Sequence, residues 1–398
     1  MNCLKKAYCR IYQGVFRLAI PLLPWRKPEL ISGGLEKLPE FIKSKKLTNV
    51  LLVTDKGIRG LGLTTSLENG LKEAGVNCVV YDDTVPNPTI GNIEDALKLY
   101  IDNKCEAIIA FGGGSSMDCA KGVGARVARP KMPVRKMKGL LKVHKATPPI
   151  FAVPTTAGTG SETTLAAVIS DPEKAEKYPI NDPVLIPKYA VLDPQITVKL
   201  PPHITSTTGM DALTHAVEAY IGHSNTKETK EMAIKATKLI FENLETAYKD
   251  GSNLEARNNM QHAAYYAGIA FTRAYVGYVH AVAHSLGAQY HIAHGLANAV
   301  ILPYFLEAYG KTAYKPLAEL ADVVGITGNS REEKAKKFIE AVKQMNKDMN
   351  IPEHFPEIKE EDIAIMSKHA NAEGNPLYPV PKLMDRKELA EMYRKIRG

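Results

Sequence analysis

Between Pro202 and Pro303 the chain runs for one hundred residues without a proline, while six prolines crowd into the stretch from Pro179 to Pro202. Proline interrupts the hydrogen-bond ladder of a helix interior. A long proline-free stretch rich in Ala, Glu, Lys and Leu therefore reads as a succession of helices, and the crowded stretch as the passage leading into it. This divides the chain near residue 200 and assigns 200–398 to an all-helical domain. Upstream the pattern changes. Short apolar runs at 49–54, 78–81 and 107–111 alternate with polar, helix-like segments such as 65–74, and further short strands are expected at 150–153 and 190–192. Strands alternating with helices give a parallel sheet, so 26–199 is expected to be an α/β domain. An apolar content of 45% over 398 residues is ample for two cores. A ligand cleft is expected between the two halves.

Residues 1–25 stand apart. Lys5, Lys6, Arg10 and Arg17 alternate with Tyr, Val, Phe, Leu and Ile ahead of Leu22, Leu23, Pro24 and Trp25, the pattern of an amphipathic helix. Arg10 and Arg17 break the apolar core that a signal peptide needs, and a small-residue cleavage site is missing. Docking onto the protein or an oligomer partner is expected, with adhesion to a membrane surface as the alternative. No run reaches transmembrane length. Cys3, Cys9, Cys78, Cys105 and Cys119 are scattered, odd in number and without a Cys-x-x-Cys pair, which points to a reducing cytoplasm rather than a disulfide framework or a thiolate zinc site. The net charge of +8 comes from 51 basic residues dispersed among 43 acidic ones, so neither a nucleic-acid nor a membrane partner is implied, and an anionic small ligand accounts for it as well.

Four of the eleven histidines, His280, His284, His291 and His294, fall within fifteen residues. Asp211 and His215 precede them at an i, i+4 spacing that stacks a carboxylate and an imidazole on one helix face, and His280 and His284 repeat that spacing. His294 follows what reads as a break at Gly287. An isolated histidine is usually a hydrogen-bonded core or surface residue. Four in fifteen, two of them among Ala, Val and Leu, point instead to a divalent cation, because an unpartnered imidazole is costly to bury.

The α/β half carries Phe111-Gly-Gly-Gly-Ser-Ser-Met-Asp-Cys-Ala-Lys121 directly after a strand and before a helix. Glycines let backbone N–H groups approach phosphates, and the helix N-terminus adds a favourable dipole. Met117 occupies the place of the third glycine in G-x-G-x-x-G, so this is not the ordinary dinucleotide fingerprint, and a tight turn is the plain alternative. Asp55, after the first strand, is placed to accept hydrogen bonds from an adenosine ribose; a helix cap is its plain reading.

With these motifs in place the chain resembles the iron-containing alcohol dehydrogenase family from about Leu30 onward. The resemblance is carried by Val53-Thr-Asp-Lys56, Pro86-Asn-Pro88, Gly112-Gly-Gly-Ser115 with Asp118 and Lys121, Pro154-Thr-Thr-Ala-Gly-Thr-Gly-Ser-Glu162, Thr208-Gly-Met-Asp-Ala-Leu-Thr-His215 with Glu218, and the histidine block. It implies an amino-terminal dinucleotide-binding α/β domain, an all-α carboxy-terminal domain of dehydroquinate synthase-like architecture, and a homodimer or higher homo-oligomer. It further implies Asp211, His215, His280 and His294 as metal ligands, His284 beside the nicotinamide without being a ligand, and no role for His291. Asp55, Asn87, Gly113, Gly114, Ser115, Thr155, Thr156, Thr159 and Lys177 then line NAD, with NADP as the alternative cofactor. Thr272-Arg273 departs from the small polar pair usual after Ala-Phe.

A divalent cation in such a site polarises an alcohol or aldehyde oxygen while hydride passes to or from the nicotinamide. The ligand types suit Fe(II) and Zn(II) alike, and the resemblance selects iron. His284 serves either as a proton relay or to orient the nicotinamide. The expected activity is hydride transfer between a nicotinamide cofactor and a primary or short-chain alcohol or aldehyde. A glycerol-type polyol dehydrogenase is disfavoured by His215, a dehydroquinate synthase-like lyase by the lack of a basic cluster near the metal motifs, and an inactive binding regulator by the complete set of ligands.

Overall fold

The computed structural model describes residues 1–174 and 176–398. They form two compact units, one of residues Leu23–Val198 and one of Met1–Leu22 together with Lys199–Gly398.

The first unit holds nine strands: β1 (Glu29–Leu30), β2 (Asn49–Val53), β3 (Asn77–Tyr81), β4 (Ala107–Gly112), β5 (Gly139–Leu140), β6 (Ile150–Pro154), β7 (Ala166–Asp171), β8 (Glu176–Asn181) and β9 (Tyr189–Ala190). Six of them make a sheet in the order β1-β9-β6-β4-β2-β3, every pairing parallel. In the central strands alternate residues enter two different cores. Leu51, Val53, Ile108, Ala110, Ile150 and Ala152 belong to one, and Val50, Leu52, Ala107, Ile109, Phe111, Phe151 and Val153 to the other. A sheet buried on both faces needs such unbroken apolar runs, which is why the runs at 49–54, 107–111 and 150–153 were readable. A three-stranded sheet, β5-β8-β7, was not foreseen. Its β8 contains Pro179 and alternates Glu, Lys and Tyr, a composition that hides a strand.

The second unit is helical throughout. Helix Pro202–Ile221 begins on Pro201-Pro202 and is buried along most of its length. Thr226 caps helix Lys227–Lys249 and Asn253 caps Leu254–Ala274, each side chain accepting from a backbone N–H of the first turn. Helices Lys227–Lys249, Leu254–Ala274 and His294–Tyr309 all pack on Pro202–Ile221. One expectation is corrected. The chain does not break at Gly287: helix Tyr278–Tyr290 runs through it and ends where His291 adopts a left-handed φ of 57°.

Candidate metal centre and nucleotide loop

Three helices of the second unit bring the candidate ligands together. Asp211 and His215 lie one turn apart on Pro202–Ile221, His280 is in the first turn of Tyr278–Tyr290, and His294 opens His294–Tyr309. Two glycines set the approach. A Cβ on Gly277 would lie 2.5 Å from Glu218 Oε1, and one on Gly295 would lie 2.5 Å from the carbonyl oxygen of Thr207. One donor atom from each of Asp211, His215, His280 and His294 falls within 4.8 Å of all the others, and only His294 is more than marginally exposed. His294 Nε2 is 3.5 Å and His280 Nε2 3.9 Å from Asp211 Oδ1. The His215 ring stacks on Phe271 at 4.0 Å and on His280 at 4.5 Å between centroids. Burial, then the neighbouring His215, His294 and His284, hold His280 well below the usual imidazole range. Neutral imidazoles and one carboxylate are the forms that ligate a divalent cation, so the donor set fits one.

Residues behind the ligands fix their orientation. His280 Nδ1 donates to Glu218 Oε2 at 2.6 Å, which turns the lone pair of Nε2 toward the other ligands. Glu218 also accepts from the backbone N–H groups of Gly277 at 2.7 Å and Val279 at 2.9 Å. Burial pushes its carboxyl up to about 8, and those donors work against the rise. Asn298 Nδ2 donates to Asp211 Oδ1 at 2.6 Å and lies 3.2 Å from His280 Nε2 and 3.1 Å from His294 Nε2. Its amide hydrogens thus face the same converging lone pairs that a cation would attract. His284 is outside the ligand cluster. Its Nδ1 meets Glu373 Oε1 at 2.7 Å, and Tyr378 donates to the same oxygen at 2.7 Å. Burial works to raise the Glu373 carboxyl, but the charge of His284 and these hydrogen bonds outweigh it and hold the group below its ordinary value. His291, exposed at a helix end, is not among the ligands. Arg273, half of the unusual Thr272-Arg273 pair, is turned to an ion pair with Glu228.

The sequence pointed to the four residues that converge and gave no direct sign of Asn298, Glu373 or the work of Glu218. Glu373 and His284 are 89 positions apart, so no spacing rule links them. Asn298 was within reach, since it stands four residues after His294 on one helix face.

In the first unit the nucleotide candidates converge around the start of helix Gly114–Ala128, whose N-cap is Gly113. Cβ atoms built on Gly113 and Gly114 would approach Thr156 and Thr159 respectively. Asn87, at a left-handed φ of 56°, donates its backbone N–H to Ser115 Oγ at 3.2 Å and accepts from Lys177 Nζ at 2.5 Å. Thr155 is buried and donates its N–H to the Gly112 carbonyl at 3.1 Å. Asp55 does cap a helix, accepting from Ile58 N at 2.9 Å, and its second oxygen accepts from Ser116 Oγ at 3.5 Å. Below the loop, buried Lys121 donates to Ser161 Oγ at 3.0 Å, Thr164 Oγ1 at 2.9 Å and the Ala166 carbonyl at 2.9 Å. Asp118 accepts from Ser161 Oγ at 3.2 Å and Val168 N at 3.1 Å. Asp118 and Lys121 therefore brace the Thr155–Thr164 loop.

Comparison with known proteins agrees with both halves. The model for iron-containing alcohol dehydrogenase matches residues 29–194, and that for the C-terminal part of the Fe-containing alcohol dehydrogenase family matches 205–397. The chain belongs to the iron-containing alcohol dehydrogenase family. It is 42% identical over 342 residues to alcohol dehydrogenase 4 of Saccharomyces cerevisiae (strain YJM789), covering 85% of this chain and 88% of the yeast protein. It is 37% identical over 386 residues to 1,3-propanediol dehydrogenase of Klebsiella pneumoniae, covering 96% and 98%. A crystal structure of 1,3-propanediol oxidoreductase superposes with a TM-score of 0.90 at 36% identity, covering 94% of this chain and 99% of that one. This family member is a metal-dependent oxidoreductase that transfers hydride between a nicotinamide cofactor and an alcohol or aldehyde. The polyol and lyase readings are not favoured.

Proposed function

We propose that Asp211, His215, His280 and His294 hold the iron of this dehydrogenase. The observation that carries the reading is the convergence of one carboxylate oxygen and three imidazole nitrogens within 4.8 Å. Bound there, Fe(II) supplies Lewis-acid polarisation of the alcohol or aldehyde oxygen. His284 moves the proton: Glu373 anchors Nδ1, so Nε2 is the ring atom that exchanges a proton on the substrate side. Asn87, Gly113, Gly114, Ser115, Thr155, Thr156, Thr159 and Lys177 cradle the dinucleotide phosphates and nicotinamide ribose, and Asp55 takes the adenosine ribose.

NAD(H) is preferred over NADP(H). A 2′-phosphate beside Asp55 would meet like charge, and the two nearby cations are already engaged. Lys56 pairs with Asp83 at 2.6 Å, and Arg59 with Asp82 at 2.8 Å and Glu68 at 3.5 Å. The enzyme works in the cytoplasm as a homodimer or higher homo-oligomer on short primary alcohols and aldehydes, a reading supported by its five free cysteines and its family membership. No helix among the described residues is long and apolar enough to cross a membrane.

The test is a reduction screen of short aldehydes with NADH and with NADPH on anaerobically iron-loaded protein, run beside metal analysis of Asp211→Ala, His280→Ala and His291→Ala. NADH should be the faster donor at equal concentration. The first two variants should lose metal and turnover, and the third should keep both. Full metal occupancy in Asp211→Ala would overturn the ligand assignment, and faster turnover with NADPH would overturn the cofactor preference.

A further inference from the structure

The N-terminal helix Cys3–Ala19 carries apolar side chains on two faces: Tyr12 and Phe16 are half-buried, Phe16 against Tyr275, while a second apolar stripe is left outside. Its buried residues are Cys9 and Gln13. Gln13 Nε2 donates to the carbonyls of Pro376 at 3.0 Å and Tyr378 at 2.8 Å, and Arg10 donates to those of Val380 at 2.8 Å and Pro381 at 3.0 Å. The N-terminal ammonium pairs with Asp385 at 2.5 Å. These contacts fix the rotation of the helix about its axis, so the opposite face cannot turn inward. That face carries Leu4, Tyr8, Ile11, Val15 and Leu18, and Leu22 continues it past the helix end. All six are between 58% and 85% exposed, and they make up nearly half of the exposed large hydrophobic residues of the described chain.

The spacing of the six is 4-3-4-3-4, the strict a/d seam of a coiled coil rather than the broader stripe of a helix lying on a core. Together they expose on the order of 800 Å², about what one partner buries in a standard-size protein interface. Gly14 adds an independent sign. It sits in mid-helix, where glycine is less stable than alanine, three residues after Ile11 and four before Leu18, and a Cβ there would meet nothing within 4 Å. Nothing in its own chain accounts for a glycine here; close approach of a second backbone along the seam does.

We infer that this stripe is an interface with the same stripe of a second copy of the chain, the two N-terminal helices pairing about a two-fold axis. This rests on the homo-oligomer reading above and says where the copies meet. A homotypic pair is self-complementary with one patch per copy. Lipid suits the face less well. A surface-bound helix carries cations along both edges of its apolar face, whereas here Lys5 alone flanks the stripe, Arg10 is held by carbonyls, and Lys6 and Arg17 lie on the far side of the helix.

Sedimentation velocity on the full-length, iron-loaded protein tests the inference. Ile11→Glu with Val15→Glu, both at exposed positions, should lower the sedimenting mass by one assembly step, for a dimer by half, with helicity and metal content unchanged. Gly14→Leu should raise the dissociation constant at least tenfold. An oligomer indifferent to all three substitutions overturns the placement and leaves the homo-oligomer reading intact. A wild-type monomer overturns both. Co-sedimentation with phosphatidylserine vesicles that the double variant abolishes, without change of oligomeric mass, overturns the placement in favour of lipid.

Discussion

At the level of single residues, the candidate centre depends on a group that touches a ligand from behind. Glu218 holds His280 in one tautomer through a 2.6 Å hydrogen bond. Removing such an outer partner leaves all four ligands present but costs metal affinity about 10–100-fold. Glu218→Gln should weaken iron or zinc binding by that factor in a chelator-competition titration, a measurement independent of turnover. Affinity equal to wild type would mean that the ligand helices alone position the donors. The clustering of the four candidate ligands was legible in the sequence in part because i, i+4 spacing on a helix is a local fact, true of Asp211 and His215 before any tertiary structure is known. Glu373 was not, because its place beside His284 depends on how distant helices pack. The Gly287 break was misread for a related reason. Glycine tolerates both helix and turn, and only the left-handed φ of His291 marks the true end.

At the level of elements, the bracing between helix Gly114–Ala128 and the turn Ser161–Thr163 places Lys121 and Glu162 out of water and Asp118 partly so. Burial raises Asp118 to about 6 and Glu162 to about 7 and lowers Lys121 to about 8. Consider Glu162. Between its unfolded value near 4.5 and about 7 the folded chain keeps a proton that the unfolded chain gives up, so its contribution is complete below pH 4.5 and lost as pH rises through 7. Glu162→Gln does not titrate. Its stability relative to wild type should therefore climb between pH 5 and 7, by at most on the order of 2–3 kcal/mol, and level off above. Urea unfolding at pH 5, 6, 7 and 8 checks this, and a stability difference that is flat with pH would mean that Glu162 is ionised throughout. The parallel strands nearby were readable because each buries both faces. The strands β7 and β8 were not, since half their residues face outward and Pro179 lies among them.

At the level of the whole molecule, the alternation of strands and helices and the proline-free hundred residues made both architectures readable. The joining of Met1–Leu22 to the carboxy-terminal unit rests on hydrogen bonds across more than 360 positions, which no local pattern foretells. The helical unit has a further property that follows from its centre. Helices Pro202–Ile221, Tyr278–Tyr290 and His294–Tyr309 each contribute to the same cluster of four polar side chains, and without a cation one carboxylate and three imidazoles share a largely buried space. A metal held at a thousand times its dissociation constant stabilises the folded state by about 4 kcal/mol, enough to move a melting temperature by on the order of 10 °C in a unit of this size. Chelation should therefore lower the melting temperature by roughly that amount. In hydrogen exchange followed by mass spectrometry, peptides from those three helices should lose protection while β2, β4 and β6 keep theirs. Re-addition of Fe(II) should restore both readings. If chelation left the melting temperature unchanged, or exposed sheet and helices equally, the cation would not be what holds these three helices together.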